Sequence, residues 1–586
     1  MAKRVLIVGG VAGGASCAAR LRRLDETAEI VLFDRGPYVS FANCGLPYFV
    51  GNVIAEQRTL LVAPVELFQQ RFNIAVHTRH EVIAIDRARR TIRVRALDET
   101  GRPERDEAYD ALVLSPGAAP IRPPLAGIDL PGVFAVRTIP DSVRIRSWID
   151  ERRPARAVVV GGGFIGLEMA ENLARRGIEV TILEKLNQVM PPLDPEMAYP
   201  VQEHLAAQGV TLHLGDGLAH FEGDGGGRLV VLTEAGARLI ADLVILSLGV
   251  RPETALAEAA GLPLGPRGGI AVDREMRTAD PRIWAVGDAV EVIDVLTGQE
   301  VILPLAGPAN RQGRVAAESI CGRGRTFRGV QATAVVGVFG LTVATTGASE
   351  KGLRRAGVRG FERVYLHPGH HAGYYPGAKP IHLKLLFSVP EGRVLGAQAV
   401  GLEGVEKRID VIAMAIQMGA SVRDLAEAEL CYAPQFGGAK DPVNLAGMIA
   451  VNHLDGLMPL ADWDALDASG ALLVDVREAE EYAAGHIDGA RNFPLSSLRE
   501  RYHDLPRDRP LTVYCGVGQR AYYAVRFLNL NGHRAANLSG GYTTYTARRG
   551  AGLQRVPGAG DRVLAVESSE SPRLTADTRH RPYQRQ

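Results

Sequence analysis

The chain has 586 residues, 46% apolar and 23% charged, enough to bury several cores and to form about four domains. Its formal net charge of +1 gives no bulk electrostatic reason to bind nucleic acid or a membrane surface, and no run of about 18 apolar residues marks a membrane span. The cysteines stand at 17, 44, 321, 431 and 515 and form no C-x-x-C pair, which argues against a disulfide framework or a zinc site and for a cytoplasmic location with no metal.

The basic start Met1-Ala2-Lys3-Arg4 and the apolar stretch after it imitate a signal peptide. Glycines interrupt that stretch, however, and a nucleotide-binding turn explains them better. Val5–Val8 reads as a buried strand, Gly9-Gly10-Val11-Ala12-Gly13-Gly14 as a turn, Ala15–Leu24 as a helix, and Asp34 closes the next strand. Glycines such as Gly9 and Gly14 let a backbone approach a pyrophosphate at a helix N-terminus, while an acid about 20 residues on accepts from the ribose hydroxyls. Val11 departs from the pattern, because it stands where the second glycine is expected.

Next comes Cys44, alone in Ser40-Phe41-Ala42-Asn43-Cys44-Gly45-Leu46-Pro47-Tyr48; the following cysteine is Cys321. Its redox partner therefore lies outside the chain: a small thiol, a persulfide or an oxygen atom. A second nucleotide turn follows at Gly161-Gly162-Gly163-Phe164-Ile165-Gly166, after the strand Val158–Val160, and the strand Val180–Leu183 ends in Glu184. A carboxylate there favours the ribose hydroxyl of NADH over the 2′-phosphate of NADPH, although Lys185 leaves both donors open. Toward the C-terminus, strand residues Val513-Tyr514 feed Cys515, which opens the six-residue loop Cys515–Arg520 before a helix. Successive backbone N–H groups in such a loop cradle a thiolate or persulfide. Two separated thiols, each in a loop suited to activating it, suggest sulfur chemistry in two stages.

Three further segments carry a resemblance. Thr278 to Asp288, ending Trp284-Ala285-Val286-Gly287-Asp288, resembles the second FAD fingerprint of two-dinucleotide flavoproteins, in which the final Asp binds the ribitol. Ser115-Pro116-Gly117-Ala118 and Ser247-Leu248-Gly249-Val250-Arg251-Pro252 resemble their interdomain crossovers. On these residues, Met1 to about Val451 is similar to the pyridine nucleotide-disulfide oxidoreductases, specifically the single-cysteine branch of coenzyme A-disulfide reductases, NADH oxidases and NADH peroxidases. The Asn43–Tyr48 wording resembles the coenzyme A-disulfide reductase type. That resemblance implies that Tyr374, in His371-Ala372-Gly373-Tyr374-Tyr375-Pro376-Gly377, and Tyr432, in Tyr432-Ala433-Pro434, approach the active cysteine. It also implies coenzyme A contacts at Ser16, Arg20, Arg23, Ser40, Asn43, Arg71, Asn310 and Lys440; Asn310 replaces a His of some relatives. Arg20, Arg22 and Arg23 read alone as a solvated helix face, and Tyr374 and Tyr375 as core aromatics. Val336–Met448 resembles the family's interface domain, which implies a homodimer with each site completed by Tyr374 and Lys440 of the neighbouring subunit.

Asp475-Val476-Arg477-Glu478, Glu481-Tyr482, Gly485-His486-Ile487 and Val513-Tyr514-Cys515 resemble a rhodanese domain. Its loop has the sulfurtransferase length, with Arg520 for anion stabilisation and Arg477 for loop anchoring.

The fold expected is α/β: two Rossmann-type dinucleotide-binding domains, an α+β dimerisation domain and a C-terminal α/β rhodanese domain. Its expected segments are 1–150 and 253–330 for FAD, 151–252 for NAD(P)H, 331–452 for dimerisation, 459–556 for rhodanese, and 557–586 as a disordered tail. FAD would be held by Gly9, Gly14, Asp34, Ser115, Gly117, Gly287 and Asp288, and NADH or NADPH by Gly161, Gly163, Gly166 and Glu184. The resemblance implies reduction of coenzyme A disulfide, coenzyme A persulfide or polysulfide through Cys44, with Asn43, Tyr374 and Tyr432 assisting and Cys515 carrying sulfane sulfur. Alternatives are an NADH oxidase or peroxidase working through Cys44 sulfenic acid, and a redox-sensing sulfur-trafficking protein.

Overall fold

Val5, Leu6 and Ile7 are fully buried because their strand is covered on both faces, the condition under which parallel strands read as unbroken apolar runs. The computed structural model describes residues 2–553; the tail expected at 557–586 and the end of the 459–556 segment lie outside the described residues. Arg4–Val8 is central in a five-stranded sheet ordered Ile283–Ala285, Ala111–Leu114, Arg4–Val8, Glu29–Asp34, Ala75–Thr78, and every pairing is parallel. A second parallel sheet is ordered Thr211–Leu214, Glu179–Glu184, Arg156–Val160, Leu243–Leu246, Val133–Ala135.

That second sheet corrects the expected boundary at 150/151. Its edge strand Val133–Ala135 lies upstream, and helix Ile139–Arg152 buries Ile139, Ile145 and Ile149 in the second core. The turn at Gly161 marks where the nucleotide motif begins; the sheet begins earlier, because an edge strand pairs through its backbone and needs no motif.

The chain then builds a five-stranded antiparallel sheet, ordered Ala334–Val338, Leu341–Gly347, Val394–Gly401, Ile381–Ser388, Phe361–Leu366. Helices Val405–Met418 and Pro442–Leu454 pack against it through Ile409, Ile412, Val443 and Ala446. A last four-stranded parallel sheet is ordered Arg491–Asn492, Leu472–Asp475, Leu511–Tyr514, Ala535–Asn537.

The last domain shares a core with its neighbours. Trp463, Ile487, Tyr514, Leu538 and Tyr545 join the apolar cluster of the second parallel sheet, with Tyr365 of the antiparallel sheet among them. At this three-way junction the fully buried Lys384 ammonium donates to Asp194, Glu196 and Glu350 at 2.9, 2.6 and 2.7 Å. Arg354, Arg363 and Arg548 converge on Asp464. No described helix is long and apolar enough to cross a membrane.

Candidate functional site

The first turn is built by contact between backbones. A Cβ on Gly14 would lie 1.9 Å from the Gly9 carbonyl oxygen, and one on Gly9, at φ +92°, 2.0 Å from that of Ser115. The Ser115 hydroxyl accepts from the Gly14 N–H at 3.0 Å. Asp34 accepts from the Gly10 and Gly36 N–H groups at 2.8 and 2.7 Å, and burial still pushes its carboxyl above the usual range. Gly9, Gly13, Asp34, Ser115, Gly117, Gly287, Asp288 and Asn43 all line one cleft of about 560 Å³. At its far end Arg137 approaches Asp288 at 3.7 Å, and burial raises the Asp288 carboxyl against that cation. A cleft lined by a glycine turn and by two acids, Asp34 and Asp288, fits FAD.

The second turn repeats the construction. A Cβ on Gly166 would lie 1.9 Å from the Gly161 carbonyl oxygen, whereas one on Gly163 would meet nothing within 4 Å. The approach to helix Phe164–Ala174 is therefore open at its N-terminus, as a dinucleotide pyrophosphate requires. Glu184 accepts from the Gly162 and Leu186 N–H groups at 2.7 and 2.9 Å. Lys185 pairs with Glu234 at 2.9 Å.

Cys44 lies on the short turn Asn43–Gly45, exposed at the surface. That turn is moored to the nucleotide turn: Ser40, at φ +46°, donates its N–H to the Gly10 carbonyl at 2.7 Å. Asn43 Oδ1 is buried without a partner among the described residues. Packing beneath the thiol makes burial the leading cause that pushes Cys44 up, with the Glu168 and Asp288 carboxylates adding to it.

Glu168 and Tyr48 were not singled out from the sequence. Tyr48 donates to Glu168 at 3.2 Å, and burial raises both, the phenol to about 12. The available signal was a carboxylate inside the apolar run Phe164–Ala174.

The expected coenzyme A contacts divide. Ser16 donates to Asn310 across two helices packed so closely that a Cβ on Gly313 would lie 2.2 Å from the Gly13 carbonyl oxygen. Arg20 is paired with buried Glu318 at 2.7 Å. Arg22 is structural, binding the Phe72, Asn73 and Glu26 carbonyls, while Arg23 and Arg71 are exposed. Tyr374, 75% exposed, and Tyr432, 46% exposed, hydrogen bond to each other in the antiparallel domain; neither is among the groups acting on Cys44 within one chain. Buried Arg408 joins their segments by donating to the His370 carbonyl and to Asp441, at 2.7 and 2.8 Å. Asp441 also caps helix Pro442–Leu454, which places exposed Lys440 beside the tyrosine pair's segment.

In the last domain the buried strand Leu511–Tyr514 delivers Cys515, only 1% exposed, to the start of helix Gln519–Leu530. Gly518, at φ +95°, donates its N–H to Cys515 Sγ at 3.2 Å. Arg477 anchors the loop's base: it pairs with Asp475, donates to the Gly485 carbonyl at 2.6 Å and lies 4.3 Å from the Tyr542 ring centre. Arg520 pairs through both terminal nitrogens with Glu481, at 2.6 and 2.7 Å. Glu481 and then Cys515 hold its guanidinium in the charged form.

The chain is similar to known proteins over most of its length. Residues 3–313 match the pyridine nucleotide-disulphide oxidoreductase family, 333–441 its dimerisation domain and 462–548 the rhodanese-like domain. The chain is 35% identical over 445 residues to the coenzyme A disulfide reductase of Staphylococcus epidermidis, covering 76% of this chain and 99% of that protein. The structure of reduced Bacillus anthracis CoADR-RHD superposes with a TM-score of 0.91 at 46% identity, covering 93% of this chain and 98% of that one. An NAD-dependent persulfide reductase from A. fulgidus superposes at 0.85 with 36% identity, covering 92% of this chain and 100% of the other.

Proposed function

This chain belongs to the pyridine nucleotide-disulphide oxidoreductase family, and from that premise we propose that it reduces coenzyme A disulfide, coenzyme A persulfide or polysulfide with NADH or NADPH through Cys44, while Cys515 carries sulfane sulfur. The observation that carries this reading is Cys44 on its turn beside the nucleotide cleft, next to a buried Asn43 oxygen with no partner among the described residues. A relative with coenzyme A disulfide reductase activity and a neighbour that is a persulfide reductase support it.

FAD, when bound, carries electrons from the nicotinamide to the sulfur. The chain's own residues set the two nucleotides with Asp34 and Glu184 and present Cys44 to the incoming sulfur. The Cys44 thiolate attacks that sulfur, and the leaving thiolate needs a proton or a hydrogen-bond donor. In a homodimer the exposed Tyr374–Tyr432 pair of one protomer supplies that group to the Cys44 of the other, and Lys440, Arg23 and Arg71 meet the phosphates of coenzyme A. The shared core around Trp463 and Tyr545 holds the sulfurtransferase domain in place. Sulfur therefore travels between Cys515 and Cys44 on a flexible thiol such as the pantetheine arm of coenzyme A, and not by domain swinging.

Anaerobic NADH consumption with each acceptor tests the proposal. Wild type should turn over repeatedly, and Cys44→Ser should stay yellow, accept hydride and lose turnover with all three. Retained turnover in that variant, or consumption driven only by oxygen, would sink it.

A further inference from the structure

We propose that the Cys515 loop is selective for organic persulfides, R–S–SH, over thiosulfate, and that Glu481 sets this selectivity; the inference rests on Cys515 being the sulfur carrier. Between Cys515 and Arg520 the side chains are Gly516, Val517, Gly518 and Gln519, so Arg520 is the only cation the loop itself supplies. That cation is matched by the bidentate Glu481 contact at 2.6 and 2.7 Å, and the nearby Arg477 is matched by Asp475 at 2.6 Å. The exposed side chains beside the loop include an apolar and an aromatic one. Val517 is 41% exposed and Tyr523 50% exposed, with Gln519 donating to the Tyr523 hydroxyl at 3.1 Å. The Tyr482 and His486 rings stack at 3.8 Å beside Glu481.

The two donors ask different things of this site. Thiosulfate enters as a dianion and must leave as sulfite, another dianion, so its transition state calls for cations without carboxylate partners. With an organic persulfide, the Cys515 thiolate attacks the terminal sulfur and a bond forms between the two sulfurs. The bond from that terminal sulfur to R–S breaks, and its electron pair leaves as R–S⁻. The products are Cys515–S–SH and a thiolate that takes a proton from water. One negative charge is present throughout, which the Gly518 N–H at 3.2 Å and a carboxylate-paired Arg520 suit, while exposed Val517 and Tyr523 offer an uncharged surface to the stem of R.

The full-length protein is mixed with either cysteine persulfide or thiosulfate at equal concentration, and the Cys515 peptide is followed by mass spectrometry for the gain of one sulfur atom. Wild type should load at least about tenfold faster from the persulfide. Glu481→Gln keeps the side-chain acceptor for the Glu478 N–H in the capping box and a neutral contact for Arg520. It should raise thiosulfate loading about tenfold and change persulfide loading by less than about threefold. Glu481→Asp, which keeps the charge, should keep the wild-type preference. Equal loading from both donors in wild type, or an unchanged ratio in Glu481→Gln, would overturn the selectivity. Loading from neither donor would overturn the carrier reading itself.

Discussion

Replacing Lys384 with Met keeps the stem's volume and deletes one charge. Three carboxylates, from Asp194, Glu196 and Glu350, then face one another with ligand atoms all within 4.8 Å. Breaking a buried ion pair by removing one partner costs about 3–5 kcal/mol; Glu350 keeps Arg354 and Arg363 at 2.7 and 2.9 Å, so the whole of that range applies. At about 2–4 °C per kcal/mol for domains of roughly 150–250 residues, the junction's melting transition should fall by about 6–20 °C. A chain of several domains has no single unfolding transition, so the readout is Trp463 fluorescence at the junction, followed apart from flavin release. The pH dependence fixes the mechanism. Burial acts to raise Asp194 and Glu350, but Lys384 outweighs it and holds both below the ordinary carboxylate range. Their contribution in wild type is thus present above the unfolded carboxylate pKa and lost only as pH falls through the depressed folded values. Without the ammonium, burial prevails at Asp194, its folded value rises above the unfolded one, and protonation there on acidification stabilises the variant, while Glu350 keeps Arg354 and Arg363. The gap between the two proteins should therefore narrow from about pH 8 to about pH 5.5. A gap under about 2 °C at the higher pH, or one that widens on acidification, would refute the argument.

Gly14→Ala forces a methyl to 1.9 Å from the Gly9 carbonyl oxygen, so FAD retention on gel filtration should weaken at least about tenfold while Cys515 still loads sulfur; full flavin content would contradict the assignment of this turn. Glu184→Ala should raise the NADPH-to-NADH ratio of kcat/KM about tenfold, since the carboxylate that repels a 2′-phosphate is gone. A strong wild-type preference for NADPH would show that another cation governs that end. Cys515→Ser should take up no sulfur in the rhodanese domain and should slow polysulfide-dependent NADH oxidation at least about fivefold relative to reduction of preformed coenzyme A disulfide, because tethering no longer concentrates the intermediate. Equal polysulfide rates in the two proteins would leave the two cysteines uncoupled.

The parts legible in the sequence are those whose physics is local. A backbone that must pass within 2.3 Å of where a Cβ would sit demands glycine, so Gly9, Gly14, Gly161 and Gly166 announce both nucleotide turns, and Asp34 and Glu184 follow at the ends of the next strands. The Cys515 loop is equally local, a strand, a tight turn and a helix within a few residues. Pairings across long stretches of chain leave no such mark. Lys384 meets residues near 194, 196 and 350, Arg408 meets Asp441, and Arg520 meets Glu481, each contact made by folding and none by spacing. A run of arginines shows that cations are present without showing which are already matched: Arg20 is paired with Glu318, Arg22 is spent on carbonyls, and Arg23 is exposed.

The same blindness to partners separates the two sulfur sites. Both cysteines head loops of similar promise, yet the groups around them differ in sign. Cys515 receives a backbone N–H and lies beside a cation, so one chain supplies what its thiolate needs. Cys44 is crowded and faces Glu168 and Asp288, which raise its thiol. In the homodimer proposed above, the tyrosine pair exposed on the antiparallel domain would give the Cys44 site a hydrogen-bond donor.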